Sequence, residues 1–524
     1  MGAAVQTAVL ICLGEIGLLF KLGAQLTDIA DRVWVAAISV WLVFMILFGG
    51  TGFPSQTVFV VQSASALVIL LVGTFRLWRG FPSGTALYGA VLAALALVLV
   101  LAQLWPIPFE LWRSLPGRDI FVRGLQAADA VPASLPMSLS PFETRASAMA
   151  LVPPLAAFIA ALSVPRRCFW QVATAILLAT IVGMVIALMQ KRGGVESGLY
   201  FYLSDKRTAL PSGTFANKNF FAAQLYAAIP VLAAFAMAMA QKFDVRPLVT
   251  LLFTLLLTGL IVAILALTGS RAGTMLAMVS LLLTVFLVLR LAPRGRAGAS
   301  IGGGIIAAVV ALVVMAQASM VGILRLAEGD TINDFRSTIS DVSMTAAKAQ
   351  FPWGSGFGTF VPVYQLYETP ETIIDPYVNY AHNEWLQLGI EGGLPALVLL
   401  GLFLLWLLVA LVKALRIAPL DPANAMIRAS GLVVVLLLVH AIVDFPFRNA
   451  ALLTLLGLSL GFLSLATAAP RKDFAAKPRA PQPAGSRPPR PRSFTPAQKR
   501  FGAAPKQGAV TEPPMPTADR TGES

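Results

Sequence analysis

Apolar stretches about 17–25 residues long recur along this chain between short polar segments. Each can cross a hydrocarbon core roughly 30 Å thick as a helix. The runs are apolar on all faces rather than alternating, which excludes a transmembrane β-barrel. The pattern predicts spans near 33–49, 57–75, 84–104, 146–163, 169–189, 219–240, 248–268, 272–290, 300–318, 393–412, 428–443 and 451–468, twelve in all. Residues 4–19 are also apolar, but Glu15 interrupts them, so they read as an interfacial or packed amphipathic helix. They lack a basic leader and a small-residue cleavage site, so a removable signal peptide is not expected. The expected fold class is all-α, a polytopic helical membrane protein. Its parts are an N-terminal segment 1–32, a membrane body 33–468 that includes a large loop 319–392, and a tail 469–524.

Composition agrees with the pattern. Hydrophobic residues make up 57% of the chain and charged residues 12%, against roughly 45–50% and 25% in soluble domains. The net charge of +14 does not imply nucleic-acid binding, because residues 471–524 carry eleven Lys and Arg against four Asp and Glu, half of the excess. That tail is rich in Pro and Ala, with Arg487-Pro488-Pro489-Arg490-Pro491-Arg492 at its centre. It has too little apolar content to fold and should be disordered. It serves either as a topology anchor on anionic lipid or as a partner-binding segment. Cys12 and Cys168 lie far apart in sequence and imply neither a disulfide framework nor a thiolate metal site.

Lys and Arg in the short loops set the orientation. Arg76 and Arg79, Arg166 and Arg167, Lys242 and Arg246, Arg290 with Arg294 and Arg296, and Lys413, Arg416 and Arg428 all fall on one side, which is therefore expected to be cytoplasmic along with the tail. The loops of the other side, 105–145, 190–218, 319–392 and 444–450, carry the unusual residues. Both histidines of the chain belong to them or border them, His382 in Tyr380-Ala381-His382-Asn383-Glu384-Trp385 and His440 four residues before Asp444. Histidine is the side chain that titrates near neutral pH without help. His382 is either a proton-transfer group or a helix-start residue bonded to backbone.

Arg271 in Thr268-Gly269-Ser270-Arg271-Ala272-Gly273 stands in a sharp turn between two spans, on the side where basic residues are depleted. A charge at membrane depth costs several kcal/mol unless paired or hydrated, roughly 3 kcal/mol on insertion scales. It therefore either finds an anion or snorkels to the interface. Asn217 and Asn219, at the start of a span, serve as helix N-caps or as sugar and phosphate contacts.

The run Gly213-Thr214-Phe215-Ala216-Asn217-Lys218-Asn219-Phe220-Phe221-Ala222, the Ser270-Arg271-Ala272-Gly273 turn, His382-Asn383-Glu384-Trp385-Leu386 with Glu391-Gly392-Gly393, and Asp444-Phe445-Pro446 resemble the O-antigen ligase and polysaccharide polymerase superfamily. The motifs occur in the family's order over about residues 200–468, whereas the first five spans resemble it only in layout. Each motif alone is weak, and the ordered set is specific.

The resemblance implies a bacterial inner-membrane glycosyltransferase of GT-C-like architecture, with its large loop and active site facing the periplasm. It implies a glycan donor linked to undecaprenyl pyrophosphate and an acceptor hydroxyl on the lipid A core. A polymerase of the same fold would use a second lipid-linked glycan as acceptor, and some relatives modify protein. Breaking a glycosyl–pyrophosphate bond builds negative charge that fixed guanidinium groups stabilise. Arg207 and Arg271 are the expected donor-binding residues, with Lys206, Lys218 and Arg336 in support. His382 is the expected base for the acceptor hydroxyl. Direct displacement inverts the anomeric carbon, so no second catalytic carboxylate is needed.

No cofactor and no metal are expected, because Asp341, Asp375, Glu384, Glu391 and Asp444 are scattered, without paired-carboxylate or clustered-histidine spacing. Glu391 and Asp444 are expected to orient arginines or His382, and Gly392 and Gly393 to allow close helix packing. A transporter or flippase of lipid-linked sugars is the rival from another class. Transporters place ionisable groups near the midplane in broken helices, whereas here they cluster at one face.

Overall fold

The computed structural model describes residues 25, 27–52, 55–78, 80–202, 210–291, 331–373, 377–417 and 421–467. The expected helix at 4–19, the span at 300–318, Cys12 and the tail lie outside the described residues. The chain divides into two units, 1–471 and 472–524, and every described residue belongs to the first.

The described part is helical, and nine of its helices are long and apolar enough to cross a membrane. In chain order the first seven helices are α1 (Thr27–Phe48), α2 (Gln56–Leu77), α3 (Thr85–Ala102), the short α4 (Phe109–Arg113) and α5 (Asp119–Ala127), α6 (Pro141–Ala150) and α7 (Val152–Ser163). Then come α8 (Phe169–Gly193), α9 (Lys218–Lys242), α10 (Pro247–Leu267), α11 (Arg271–Leu291), α12 (Thr331–Gln350) and α13 (Phe360–Gln365). The last three are α14 (Glu384–Arg416), α15 (Pro422–His440) and α16 (Ala450–Ser464). Among the described residues, eleven of the twelve expected spans coincide with helices, α6 and α7 sharing one of them. The described residues of the 319–392 loop form α12, α13, turns and the start of α14.

Hydropathy makes these segments membrane helices, and burial sorts them. The most apolar window of α9 is 89% buried and that of α15 72%, against 22% for α2, α3, α10 and α14. The outer helices therefore present apolar side chains such as Phe75, Val98 and Leu256 to the hydrocarbon, while α9 and α15 form the axis of the bundle. Lipid is as apolar as leucine, so close packing rather than hydrophobicity must join the helices. Gly457 and Gly461, one turn apart on α16, let it lie on α7. A Cβ at Gly457 would sit 2.1 Å from the Pro154 carbonyl oxygen, and one at Gly461 2.6 Å from that of Phe158. Pro230 inside α9 cannot donate to the Tyr226 carbonyl. Ser280 of α11 donates to that oxygen instead, at 2.9 Å, so no backbone acceptor is stranded in the apolar interior.

Asparagine and aspartate stop and start the chain at the helix ends. Asn217 accepts from the Asn219 amide (2.8 Å), Asn383 from those of Trp385 and Leu386 (3.0 and 3.1 Å), Asp421 from Ala423 (2.9 Å) and Asn449 from Leu452 (3.0 Å). Each satisfies donors that a first turn leaves open. The α14 helix breaks at Gly393, whose φ of +58° is left-handed, so residues 384–392 form a short arm before the span proper. A Cβ there would come 2.2 Å from the Pro352 carbonyl oxygen, so glycine is needed both for the turn and for the close approach of the 352–354 backbone.

Candidate functional site

At one end of the bundle four separate stretches meet. The Ala216 amide donates to the Gly50 carbonyl, that of Ala451 to Gly49, and that of Glu384 to Ala441, at 2.9, 3.0 and 3.0 Å. The N-termini of α9, α11, α14 and α16 all open here, because alternate spans run in opposite directions. Side chains cap the first turns of these helices, so it is the helix dipoles that give this end a positive potential. Lys218 and Arg271 are the first residues of α9 and α11, adding cations where the dipole alone would disfavour them. Gly273 brings Arg271 close to α9, since a Cβ at Gly273 would meet the Ala222 Cβ at 2.5 Å. Arg271 itself is exposed.

The centre of the cluster is Asp444, just beyond α15 and buried. Asn219 donates to its Oδ2 at 2.6 Å and the Phe445 amide to its Oδ1 at 3.0 Å. His382 Nδ1 lies 3.8 Å from Oδ1, and His440 Nε2 3.8 Å from Oδ2. Burial pushes the Asp444 carboxyl up, but the neighbouring His382 and His440 and the Phe445 amide outweigh it and hold it below the ordinary carboxylate value. One carboxylate is thus flanked by two imidazoles, each nearly a hydrogen bond away.

The histidines differ in access. His440 is fully buried, and its Nδ1 shares a 2.9 Å hydrogen bond with the hydroxyl of Tyr226, also buried. With the phenol donating, the ring proton sits on Nε2 and faces Asp444. His382 leaves 33% of its side chain accessible and stands edge-on to Phe445, with ring centroids 4.7 Å apart. Its backbone is left-handed at φ +52°, which a β-substituted residue adopts at a cost on the order of 1 kcal/mol or more and which recurs at functional sites. Asn383, not His382, caps the α14 helix.

Beside this cluster lies an ion-pair network. Arg448 donates through Nε to Glu384 Oε2 at 3.0 Å, and its terminal nitrogens lie 2.9 Å from Glu384 and 3.9 Å from Glu391. The Phe447 amide also donates to Glu384, at 3.1 Å. Burial works against the Arg448 charge, yet the two glutamates raise its pKa further. Glu391 also accepts from Gln387 Nε2 at 3.0 Å. Burial pushes the Tyr380 phenol up to about 12, and its ring packs 4.6 Å from Phe445 and 5.6 Å from the Arg448 guanidinium.

Of the residues expected from sequence, the structure gathers His382, Asp444, Asn217, Lys218 and Glu391 at this end, with Arg271 at its edge. Asn217 acts as an N-cap, while the side-chain amide of Asn219 holds Asp444. Arg336 of α12 is half-buried, its Nε has no hydrogen-bond partner among the described residues, and it lies within electrostatic reach of His440. Lys206 and Arg207 lie outside the described residues. Sequence reasoning assigned no role at the site to Arg448, Glu384, Tyr380, Tyr226 or His440. Arg448 could have been found by the argument that singled out Arg271, since it too is a basic residue in a short turn of the basic-poor side. Among the described residues, no group of three or more His, Cys, Asp or Glu could hold a metal ion.

At the other end of the bundle the basic loops meet in turn. Arg76 and Arg167 both bind Asp31, Arg166 donates to Asn424 at 3.0 Å, and Arg428 donates to the Ala414 and Ile417 carbonyls. No curated protein matches the chain. Residues 255–401, which run from α10 through the Arg271 turn, the His382 segment and the Gly393 break, match the family model described as O-Antigen ligase. That match supports the O-antigen ligase superfamily, with its ligases and polymerases, as the family of this membrane protein.

Proposed function

We propose that the protein is an inner-membrane O-antigen ligase-type glycosyltransferase that moves a glycan from undecaprenyl pyrophosphate to an acceptor hydroxyl of the lipid A core. The observation that carries this reading is an accessible His382 backed by Asp444, at a bundle end where four helix N-termini, Lys218 and Arg271 converge. The acceptor hydroxyl gives its proton to His382 as its oxygen bonds to the anomeric carbon. The bond from that carbon to the pyrophosphate oxygen breaks, and the configuration inverts. Asp444, at 3.8 Å, stabilises the imidazolium that forms. Negative charge leaves with the pyrophosphate, toward Arg271, Lys218 and the positive ends of the helix dipoles, with Lys206, Arg207 and Arg336 as further donor contacts. The reaction needs no metal in this scheme. The basic loops at the opposite end favour a cytoplasmic position for that end, which supports a periplasmic His382 in this reading.

A polymerase shares donor and chemistry and differs in acceptor. A flippase reading is weaker, because the ionisable groups cluster at one end rather than at the midplane of broken helices. The deciding experiment is the glycan profile of a deletion strain. Long chains stranded on undecaprenyl pyrophosphate support the ligase. Single repeats still attached to lipid A would assign a polymerase, and unprocessed donor held on the cytoplasmic leaflet would assign a flippase.

A further inference from the structure

The end of the bundle opposite His382 holds a feature that glycan transfer does not use. A cavity of about 750 Å³ opens between the start of α8, the end of α9 and the start of α15. Its charged lining is Arg32, Arg166, Arg167 and Lys242 against Asp28 and Asp421. The two carboxylates are already engaged. Asp28 binds Arg32 at 2.8 Å and Arg167 at 2.9 Å, and Asp421 caps α15. Arg166 instead donates to the neutral Asn424, and the Lys242 ammonium lies 3.7 Å from the centroid of the Trp170 ring. Neither meets a carboxylate among the described residues. The first turn of α8, which also lines the cavity, has no side-chain cap. The cavity therefore carries an excess of positive charge.

A second cavity of about 400 Å³ shares Trp170 and Gln171 with the first and continues along α1 and α8. It is apolar, lined by Val35, Ala36, Val40 and Val43 on one side and by Ala175 and Leu178 on the other. From residue 170 to residue 178 the groove follows about 12 Å of helix. Two polar groups sit along it with no hydrogen-bond partner among the described residues, the Gln171 Oε1 and the Ser39 hydroxyl, both buried. A basic chamber, the unpartnered Gln171 at the junction and an apolar groove with Ser39 within it succeed one another as a lipid's phosphate, ester region and acyl chain do.

We infer that this end of the bundle binds one anionic phospholipid, its phosphate between Arg166 and Lys242, its ester region at Gln171, and an acyl chain in the groove between α1 and α8. Basic chambers between membrane helices are suited to anionic headgroups, and the positive charge selects against zwitterionic ones. The two sites are held by opposite ends of α9, about 36 Å apart from Lys218 to Lys242, so the lipid site is separate from the His382 chemistry.

The test uses the full-length protein in nanodiscs of phosphatidylcholine with or without phosphatidylglycerol, read by native mass spectrometry and thermal unfolding. Wild type should retain one phosphatidylglycerol in preference to phosphatidylcholine and unfold at a higher temperature when it is present. Arg166→Gln with Lys242→Gln should weaken that preference at least about tenfold, given the attraction of each basic residue to an anionic lipid. Ala36→Phe, at an exposed position, should block the groove and release the lipid while leaving all the charges in place. It decides the matter alone if the double variant does not fold. Equal retention of both lipids overturns the inference, as does an adduct unaffected by Ala36→Phe. Full competition by water-soluble glycerol phosphate would reduce the site to a phosphate site and overturn the acyl groove.

Discussion

Asp31 and Asp444 are both buried aspartates, one near each end of the bundle, and their partners make them opposites. Asp31 is held by Arg76 and Arg167, cations at every physiological pH, so its charge is balanced permanently. Asp444 is held by an asparagine amide and a backbone amide, with an imidazole 3.8 Å away on each side. Its neighbours on those two sides are imidazoles rather than fixed cations. A carboxylate built only to hold the fold is closed by fixed cations, as Asp31 is. Among the described residues, the Asp444 end leaves His382 Nδ1 and His440 Nε2 without a hydrogen bond, the first of them on an accessible ring, which is what the proposed proton transfer would use.

The largest expected effect tests whether the open end is the chemical one. His382→Ala should reduce glycan transfer by about 10²–10⁴-fold, the usual contribution of a general base, with thermal unfolding unchanged. Wild-type turnover by the well-folded variant would sink the assignment. Next comes Arg271. A pyrophosphate suits a guanidinium fork better than an ammonium point charge, so Arg271→Lys should lose most transfer although charge is kept. Arg271→Ala should also lose donor binding, by roughly 2–5 kcal/mol if the pair is desolvated. If Arg271 only snorkels to lipid headgroups, Arg271→Lys will match wild type in transfer and donor-binding assays.

The two aspartates can then be set against each other directly. Breaking a buried pair costs roughly 3–5 kcal/mol, less at Asp31 because Arg167 is half-exposed. Asp31→Ala should therefore lower the unfolding temperature and the yield yet leave turnover per folded molecule near normal. Asp444→Asn should do the reverse, cutting turnover about tenfold or more with a smaller change in unfolding. Equal effects of both variants on both readouts would erase the distinction.

A smaller signature lies in pH. The Asp444 carboxyl is lowered in the folded protein, so the stability it contributes is complete above the ordinary value of about 3.9. It is lost as the pH falls through the lowered value, and Asp444→Asn should remove that part of the acid unfolding curve. The smallest expected effect is none. Transfer should persist in excess EDTA, and activity lost in chelator and restored by Mg²⁺ or Mn²⁺ would show a metal role for these carboxylates.

Spans were legible in the chain because hydropathy is a local property that each segment carries by itself. The grouping of basic loops at one end was legible for the same reason, since charge at a span's flank sets its direction independently of packing. The helix starts at Asn217 and Asn383 and the break at Gly393 are also local, written in residues that satisfy or reverse the backbone where they stand. What tertiary structure decided was which residues face one another. Asn219 reaches Asp444 across 225 positions, Tyr226 reaches His440 across 214, and Arg448 reaches Glu384 across 64. Hydropathy alone does not rank burial, since the windows of α9 and of the α6–α7 stretch are equally apolar yet 89% and 44% buried. Inside a bilayer, helix neighbours are chosen by close fit between side chains on different helices. That fit exists only after folding, and it brought His382 and Asn219 to Asp444, whereas His440 reaches it from four residues away along the chain.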